Sequence, residues 1–388
     1  MDVEREDTQP PEAGLAPEPA SLDNLAGTEL GAYRVLRKIG EGGMGVVFEA
    51  VHRQIDQRVA IKVLHGRIAG DSKTFQRFEN EARAIGRIKH PGMVNIHGYE
   101  RTSDGTAYIV MEFLQGEMLF DRMERLLGTG QCLGMGLALL IGRQLAAVLA
   151  EAHAHGIVHC DLKPDNVFLV RDELVESGER VKLLDFGIAK FTSGGGTRKT
   201  TVGLVLGTPV YMSPEQCEGR DGISEKADVY SLGVMLYEML AGRPPFMGAS
   251  GEVLAMHIYE QPPPLRQFEP SIPDDLAGLV HSLLAKEPQQ RPSMAQVVAS
   301  NEVLVESHSG LMVAEPGAPP GSRRKPCLTA MGHDAGNLPG ARTPECAVNS
   351  NQARRLGLFD PMPARNSFVV PEFGSTASCS TYGTKRRR

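Results

Sequence analysis

The segment HCDLKPDN, which runs from His159 to Asn166, decides how this chain is interpreted. It places a carboxylate at Asp161, an ammonium group at Lys163 and an amide at Asn166, and the apolar run Val167-Phe168-Leu169 follows directly. Transfer of a phosphoryl group needs an acceptor for a hydroxyl proton, a cation for the moving phosphate and an oxygen ligand for magnesium. The segment therefore indicates chemistry on a phosphate group.

The composition of the chain predicts a folded globular protein. Of its 388 residues, 41% are apolar and 23% are charged, and the formal net charge of −6 gives no reason to expect nucleic acid as a partner. The six cysteines are scattered without a C-x-x-C pair, so they indicate neither a zinc site nor a disulfide framework. The first residues, MDVEREDTQPPE, are unlike a signal peptide, and we expect a reducing, cytoplasmic location.

Changes in composition divide the chain into three parts. Residues 1–30 are rich in Pro, Glu and Ala and predict a disordered acidic leader. Residues 31–300 alternate strand-like and helix-like patterns and predict the folded domain. Residues 301–388 predict a low-complexity, disordered tail, and its basic end KRRR is either a solvated, disordered end or a docking or nucleic-acid-binding segment. The apolar stretch Leu133–Ala150 contains Arg143, so we expect a buried core helix and no membrane segment.

Glycines and a lysine recur at fixed spacing near the start of the folded domain. Gly40, Gly42, Gly45 and Val47 form the pattern G-x-G-x-x-G-x-V, in which glycines let a backbone approach phosphates closely. The same glycines also mark dinucleotide-binding folds, where they lead from a strand into a helix. Here a β-rich segment follows them, which favours a hairpin, and the strand-like V-A-I-K ends at Lys62.

Further motifs follow the HCDLKPDN segment in order. Asp185-Phe186-Gly187 comes after a strand-like segment, and residues 207–215 read GTPVYMSPE. Residues 228–240, DVYSLGVMLYEML, are apolar all round and predict a buried helix. Residues 286–292 read KEPQQRP.

Together these motifs resemble those of the protein-kinase family. EGGMGVVFEA and GTPVYMSPEQ look most similar to bacterial, eukaryotic-like (Hanks-type) serine/threonine kinases, and the resemblance covers residues 33–298. It implies an α+β, bilobal protein-kinase fold, with a small β-rich N-lobe at 31–113 that holds one main helix and a larger helical C-lobe at 115–300. It also implies a serine/threonine protein kinase that transfers the γ-phosphate of ATP to Ser/Thr hydroxyls of proteins and phosphorylates itself.

The resemblance implies an ATP site between the lobes. Lys62 would reach the α- and β-phosphates and pair with Glu81, which the pattern RFENEA on a helix over 73–88 favours over Glu79. Met111 would back the adenine pocket, and the backbone of Glu112 and Leu114 would bind adenine. The other implied ATP contacts are Ile39, Gly40, Glu41, Gly42, Gly43, Met44, Gly45, Val47, Ala60 and Phe168.

The resemblance also assigns the catalytic groups. Asp161 would accept or orient the substrate hydroxyl, and Lys163 would neutralise charge on the γ-phosphate. Asn166 and Asp185 would ligate Mg²⁺, with Mn²⁺ as an alternative ion. Lys163 together with Thr208 is the pattern of serine/threonine kinases.

Three supporting features are implied in the same way. Asp228 would hold the backbone of the catalytic loop through hydrogen bonds. Glu215 would form a buried pair with Arg291, which is strongly destabilising to break on one side. The charged segment Arg171–Arg180 is longer than in most relatives and predicts an enlarged surface hairpin.

One position departs from the family pattern, because Cys160 stands where arginine usually precedes the catalytic aspartate. That arginine binds a phosphate on the activation loop, and a thiol cannot do so. We therefore expect basal activity to depend less on loop phosphorylation, although Thr197, Thr200 and Thr201 are candidate autophosphorylation sites. A neutral side chain under the loop is the simpler interpretation of Cys160, and a redox switch is the alternative.

The functional alternative to an active kinase is a pseudokinase, a binding or scaffold module on the same fold. Lys62, Asp161, Asn166 and Asp185 are all present, which argues against it. The expected partners are ATP and proteins that bear Ser/Thr, with transient self-association as a further expectation.

Overall fold

The computed structural model describes residues 25–42, 45–65, 83, 85–102, 105–185 and 209–308. Within them, the N-terminal part is an antiparallel sheet with the strand order β1-β2-β3-β4-β6-β5. Its strands are β1 (Glu29–Leu30), β2 (Tyr33–Gly42), β3 (Gly45–His52), β4 (Arg58–Leu64), β5 (Ile96–Arg101) and β6 (Ala107–Glu112). The sequences GVVFEAVH of β3 and RVAIKVL of β4 are rich in β-branched residues, which favour the pleated, buried environment at the centre of this sheet.

The β2–β3 hairpin is the one that the glycine pattern predicts. Gly40 pairs with Val47, and Gly42 pairs with Gly45, so the glycines lie on both arms near the turn. Gly45 has no room for a side chain, because a Cβ atom there would lie 2.0 Å from the carbonyl oxygen of Val63 on β4. This glycine is therefore required by the packing of β3 against β4.

A small second sheet contains β7 (Gly116–Met118), β8 (Val167–Arg171) and β9 (Glu179–Leu183). The β8–β9 connection is a hairpin, as the sequence predicts. Arg180 Nε holds Asp172 Oδ2 at 2.6 Å across its neck, and Arg143 forms an ion pair with Glu176 at 2.8 Å. The first contact closes the hairpin, and the second ties it to the helical part of the domain.

The C-terminal part of the described chain is helical. Its helices are α1 (Leu119–Leu127), α2 (Met135–Ala154), α3 (Pro214–Cys217), α4 (Lys226–Ala241), α5 (Ser250–Tyr259), α6 (Asp274–Leu283) and α7 (Met294–Ser307). Helix α4 is buried on nearly all sides, as its all-round apolar sequence predicts. Helices α2, α4, α6 and α7 pack around one apolar core.

Helix α2 confirms the prediction of a buried core helix. By length and composition alone it could cross a membrane, but 56% of its apolar window is buried inside the domain. Leu139, Leu145 and Leu149 are fully buried in the core. Packing inside the domain therefore accounts for the apolar character of this helix.

The folded part extends past the boundaries expected from the sequence. Helix α7 continues to Ser307 rather than ending at 300, because Asn301, Leu304 and Val305 are buried against the domain. Strand β1 likewise precedes residue 31, since Leu30 is buried in the core of the sheet. The rest of the expected leader and tail lies outside the described residues.

The N-terminal sheet and the C-terminal helical part join where β9 contacts the segment before β5. Leu183 forms a β-bridge with Met93, and its N–H donates to the carbonyl oxygen of Gly92 at 2.8 Å. The α+β, bilobal architecture implied by the resemblance is confirmed. The site lies between the lobes, where β4, β6 and β9 approach the loop that follows α2.

Candidate active site

The loop between α2 and β8 begins at a fully buried histidine. His159 Nε2 donates to the carbonyl oxygen of Leu184 at 3.0 Å, and its Nδ1 accepts from the N–H of Asp161 at 3.3 Å. Because one ring nitrogen donates and the other accepts, the ring is neutral. Burial lowers the pKa of His159 against the opposing effect of Asp228 and the nearby carboxylates. His159 therefore links the loop to the segment that leads to Asp185.

Asp228 holds this loop from below, as the sequence predicts. It lies in the first turn of α4 and is fully buried. Its Oδ2 accepts from the N–H of His159 at 2.8 Å, and its Oδ1 accepts from the N–H of Cys160 at 2.7 Å. His153 Nε2 contacts the same carboxylate at 2.8 Å. The predicted backbone support is confirmed.

Cys160 adopts a backbone conformation that residues with side chains rarely adopt. Its φ is 60°, in the left-handed region, and its side chain is buried. Such a conformation persists only when the surroundings determine it. The hydrogen bond from its N–H to Asp228 and a second bond at its carbonyl oxygen, from Gln216 Nε2 at 2.8 Å, supply that constraint.

Three predicted catalytic groups converge immediately after Cys160. Lys163 Nζ lies 3.3 Å from Asp161 Oδ2. Asn166 Nδ2 donates to the carbonyl oxygen of Asp161 at 2.7 Å and lies 3.4 Å from its Oδ2. A 3₁₀ turn over Pro164–Asn166 brings Asn166 back to Asp161. A carboxylate, an ammonium group and an amide thus share one small volume.

Lys62 and Asp185 meet across the lobes. Lys62 Nζ on β4 lies 2.6 Å from Asp185 Oδ1, and the side chain of Lys62 is 8% exposed whereas that of Asp185 is 47% exposed. Asp185 has a φ of 39°, which turns the chain immediately after β9. Its neighbour Leu184 donates to the carbonyl oxygen of Asn166 at 2.8 Å, so this pair is tied to the catalytic loop.

The predicted ATP contacts surround this group. Ala60 of β4 pairs with Met111 of β6 in the sheet, and Val47 of β3 pairs with Lys62. Phe168 lies on β8 opposite Met118 and is buried. The other described contacts are Ile39, Gly40, Glu41 and Gly42 on β2, Gly45 on β3, Glu112 at the end of β6, and Leu114 just after it.

Several predicted residues lie outside the described part of the chain. Gly43, Met44 and Glu81 are among them, so the expected pair between Lys62 and Glu81 stays a prediction. Phe186, Gly187, Gly207 and Thr208, and the candidate phosphorylation sites Thr197, Thr200 and Thr201, also lie outside it.

Strand β6 carries at its end an ion pair that the sequence motifs did not reveal. Lys182 of β9 is buried, and its Nζ lies 2.6 Å from Glu112 Oε1 and 3.2 Å from the carbonyl oxygen of Met93. Glu112 Oε1 also accepts from the N–H of Asn95 at 2.8 Å. The side chain of Glu112 therefore fixes the end of β6, whose backbone was predicted to face adenine. No motif indicated the pair, because its members are 70 residues apart.

The predicted pair between Glu215 and Arg291 is confirmed. Arg291 donates NH1 to Glu215 Oε1 at 2.7 Å and NH2 to Oε2 at 2.8 Å, and both side chains are buried. Burial alone would raise the pKa of Glu215, but the hydrogen bonds and charge of Arg291 outweigh it and hold that pKa below its usual range. This pair anchors α3 to the helical lobe.

A second acid supports the segment that precedes α3. Tyr211 donates to Glu238 Oε2 of α4 at 2.6 Å, and Ser231 of the same helix donates to the carbonyl oxygen of Tyr211 at 2.7 Å. Burial raises the pKa of Glu238 to about 7, with Tyr211 opposing the shift and Glu124 and Asp165 adding to it. Sequence motifs did not indicate this acid, which lies in an otherwise apolar helix.

Comparison with known proteins agrees with this geometry. The family model described as "Protein kinase domain" matches residues 33–301. Serine/threonine-protein kinase Pkn1 of Myxococcus xanthus is 37% identical over 371 residues, covering 91% of this chain and 51% of that protein. PknA of Mycobacterium tuberculosis is 41% identical over 266 residues, covering 67% and 58%, and PrkC of Bacillus subtilis is 36% identical over 268 residues, covering 69% and 39%.

The solved structures show the same fold. The crystal structure of the PknI kinase domain of Mycobacterium tuberculosis matches with a TM-score of 0.56 and 28% identity, covering 72% of this chain and 98% of that one. The chain spans 51% of the length of Pkn1 and 58% of that of PknA. The family model matches most of the chain, and the structure brings Lys62 and Asp185 together beside the catalytic loop. The chain therefore belongs to the protein kinase family.

Proposed function

We propose that this chain is an active serine/threonine protein kinase that transfers the γ-phosphate of ATP to hydroxyl groups of proteins, including its own. The family uses ATP and a divalent metal ion, and the relatives named above are serine/threonine kinases. The observation that carries the proposal is that the five predicted groups are linked by direct contacts. Lys62 contacts Asp185, Asp161 contacts both Lys163 and Asn166, and a backbone bond from Leu184 to Asn166 connects the two sets.

Asp161 and Lys163 have the geometry for the transfer itself. The backbone of Asp161 is held by His159 and Asn166, and its carboxylate oxygen Oδ2 lies 3.4 Å from Asn166 Nδ2, so the carboxylate has a defined direction. It would orient a hydroxyl group and accept its proton, which in positioned bases contributes about 10²–10⁴-fold. Lys163 Nζ, 3.3 Å from that carboxylate, would neutralise charge on the phosphoryl group as it moves.

The donor set fits a magnesium ion. Because Asn166 Nδ2 is committed to the carbonyl oxygen of Asp161, its Oδ1 is the atom placed to serve as an oxygen ligand, and Asp185 adds a half-exposed carboxylate. Magnesium takes few protein carboxylates and completes its shell with water and phosphate oxygens. When bound, the ion would neutralise charge on the β- and γ-phosphates. Mn²⁺ is the alternative ion for the same oxygen ligands.

Cys160 supports a looser dependence on loop phosphorylation. It is buried under the loop, with both backbone groups hydrogen-bonded, and it brings no cation. We propose that basal turnover persists when Thr200 and Thr201 are replaced by alanine. Turnover that the double replacement abolished and acidic replacements restored would count against this part of the proposal.

A radiolabel-transfer assay tests the function. The chain is incubated with Mg-ATP and a generic protein substrate beside Lys62→Met and Asp185→Ala, and the matched controls are the exposed residues Lys89→Met and Asp221→Ala. The wild type and both controls are expected to incorporate phosphate, and the two site variants are not. Equal background incorporation in all five proteins would favour the pseudokinase and refute the proposal.

Two further expectations concern the setting of the protein. We propose a cytoplasmic location, which the three free cysteines among the described residues support, because cytoplasmic proteins keep their thiols reduced. Transient self-association stays a prediction, which sedimentation at several protein concentrations would test.

A further inference from the structure

The peptide unit that joins Cys160 to Asp161 is held at both ends. Its N–H belongs to Asp161 and points to His159 Nδ1 at 3.3 Å. Its carbonyl oxygen belongs to Cys160 and accepts from Gln216 Nε2 at 2.8 Å. The orientation of this peptide plane sets the direction in which the side chain of Asp161 leaves the backbone. Gln216 therefore contributes, together with His159, to the direction of the proposed base.

The side chain of Gln216 is itself fixed from the other direction. Its Oε1 accepts from the N–H of Ser213 at 2.9 Å and lies 3.2 Å from the hydroxyl oxygen of Ser213. A backbone N–H can only donate and a carbonyl oxygen can only accept, so the two ends of the amide are assigned without ambiguity. Gln216 lies on α3 and is half-buried, and α3 is anchored to the helical lobe by the neighbouring pair of Glu215 with Arg291.

We propose that Gln216 is a positioning residue for phosphoryl transfer, which couples α3 to the catalytic loop through its bond to the Cys160 carbonyl oxygen. The coupling uses one neutral amide and needs no phosphate. The bond is made to the backbone of Cys160, the residue that stands in place of the family arginine. Gln216 therefore joins α3 to the catalytic loop without an arginine side chain at that position. The inference rests on the proposed kinase function and adds a residue to it.

The strained backbone at Cys160 shows why this bond matters. A left-handed conformation is unfavourable in a residue with a side chain, so the loop would relax if its constraints were removed. Asp228 constrains the N–H of Cys160, and Gln216 constrains its carbonyl oxygen. Loss of the second constraint would let the peptide rotate and would turn Asp161 away from a bound hydroxyl. A misplacement of about 1 Å can cost about 10²-fold in rate.

The replacement Gln216→Glu separates the two bonds of this side chain. A carboxylate has nearly the same shape and still accepts from the N–H of Ser213, but it cannot donate to the carbonyl oxygen of Cys160. The matched control is Gln296→Glu. Gln296 forms the same kind of capping box with Ser293 at the start of α7, where its Oε1 accepts from the N–H of Ser293 at 2.8 Å, and its side chain is exposed.

The test measures kcat, KM for ATP and the thermal midpoint of each variant with Mg-ATP and a generic substrate. For Gln216→Glu we expect kcat to fall by about tenfold or more, with KM for ATP and the midpoint close to the wild-type values, since the ATP contacts lie on other elements. Gln296→Glu should match the wild type in kcat. Gln216→Met, which removes both bonds without adding charge, should show the same fall in kcat and serves if the glutamate variant does not fold.

Three results would overturn the proposal. Wild-type kcat in both Gln216 variants would show that the bond has no effect on turnover. A fall in kcat that was matched by a lower midpoint and a higher KM for ATP would show a general structural role. An equal fall in Gln296→Glu would show that the introduced charge acts non-specifically. A wild-type chain without transfer activity would instead refute the proposed function.

Discussion

Replacing Arg291 by methionine should destabilise the folded domain more than any ordinary surface change. The guanidinium group is fully buried and uses all five of its N–H donors. Two of them bind Glu215, and the others bind the carbonyl oxygens of Ala285, Lys226 and Lys286 at 2.7–2.8 Å. Methionine has a similar length and none of these donors.

The magnitude follows from the charge that is left behind. Without Arg291, the carboxylate of Glu215 is buried and unpaired, and removing one partner of a buried ion pair costs about 3–5 kcal/mol. In a domain of this size that corresponds to a fall of about 10 °C in the thermal midpoint.

The control is the exposed pair of Arg266 with Asp274, whose side chains are 48% and 86% exposed. Arg266→Met should cost no more than about 1 kcal/mol, because exposed ion pairs contribute little. Urea unfolding of the wild type and both variants, followed by circular dichroism, gives the comparison. Restoring the balance of charge with Glu215→Gln in the Arg291→Met background should recover part of the loss.

The pH dependence of unfolding tests whether the Glu215–Arg291 pair stabilises the folded domain. Arg291 holds the pKa of Glu215 below its usual range against the effect of burial, so the pair contributes stability above the unfolded pKa and loses it as the pH falls through the folded pKa. The gap between the wild type and Arg291→Met should therefore narrow towards acid pH. A loss at neutral pH no larger than that of Arg266→Met would refute the reasoning.

Three other changes test the remaining features. Burial raises the pKa of Glu238 from 4.5 to about 7, so the wild type loses stability as the pH rises through that value. The free energy of unfolding of Glu238→Gln relative to the wild type should therefore rise by about 2 kcal/mol between pH 5 and pH 8, as measured by urea titration. Asn301→Leu should stabilise the domain by about 1–2 kcal/mol in the same assay, since both polar atoms of the fully buried Asn301 side chain have no hydrogen-bond partner among the described residues, and an unchanged midpoint would contradict this. Gly45→Ala should lower the thermal midpoint and weaken binding of a fluorescent ATP analogue, since the new Cβ would lie 2.0 Å from the carbonyl oxygen of Val63. The control Gly98→Ala has open space around its Cβ and should bind the analogue as the wild type does.

Much of the fold could be predicted from the sequence because its signals are local. The glycine pattern with a β-rich continuation predicted the β2–β3 hairpin, and the all-round apolar sequence of residues 228–240 predicted the buried helix α4. The end of the domain was harder to predict. Helix α7 passes residue 300 because its last turns are buried against the domain, and burial depends on neighbours that lie elsewhere in the chain.

The roles predicted for the site depend on side chains that carry their own chemistry. The resemblance to the protein-kinase family could name Asp161, Lys163, Asn166 and Lys62, because the motifs that contain them are visible in the sequence. The Glu112–Lys182 pair and the Glu238–Tyr211 bond could not, since each joins residues on separate elements. A glutamate in an apolar helix has no recognisable pattern until its partner is placed.

The sequence by itself determined the chemical groups of this protein: a carboxylate, two lysines and an amide in a fixed order, and a thiol at position 160 in place of an arginine. The tertiary structure decided what holds those groups in position. It brought Gln216 to the carbonyl oxygen of Cys160 across 56 residues of chain. The physical reason is that residue types and local periodicity are encoded along the chain, whereas the direction of a hydrogen bond between distant elements is set only when those elements pack.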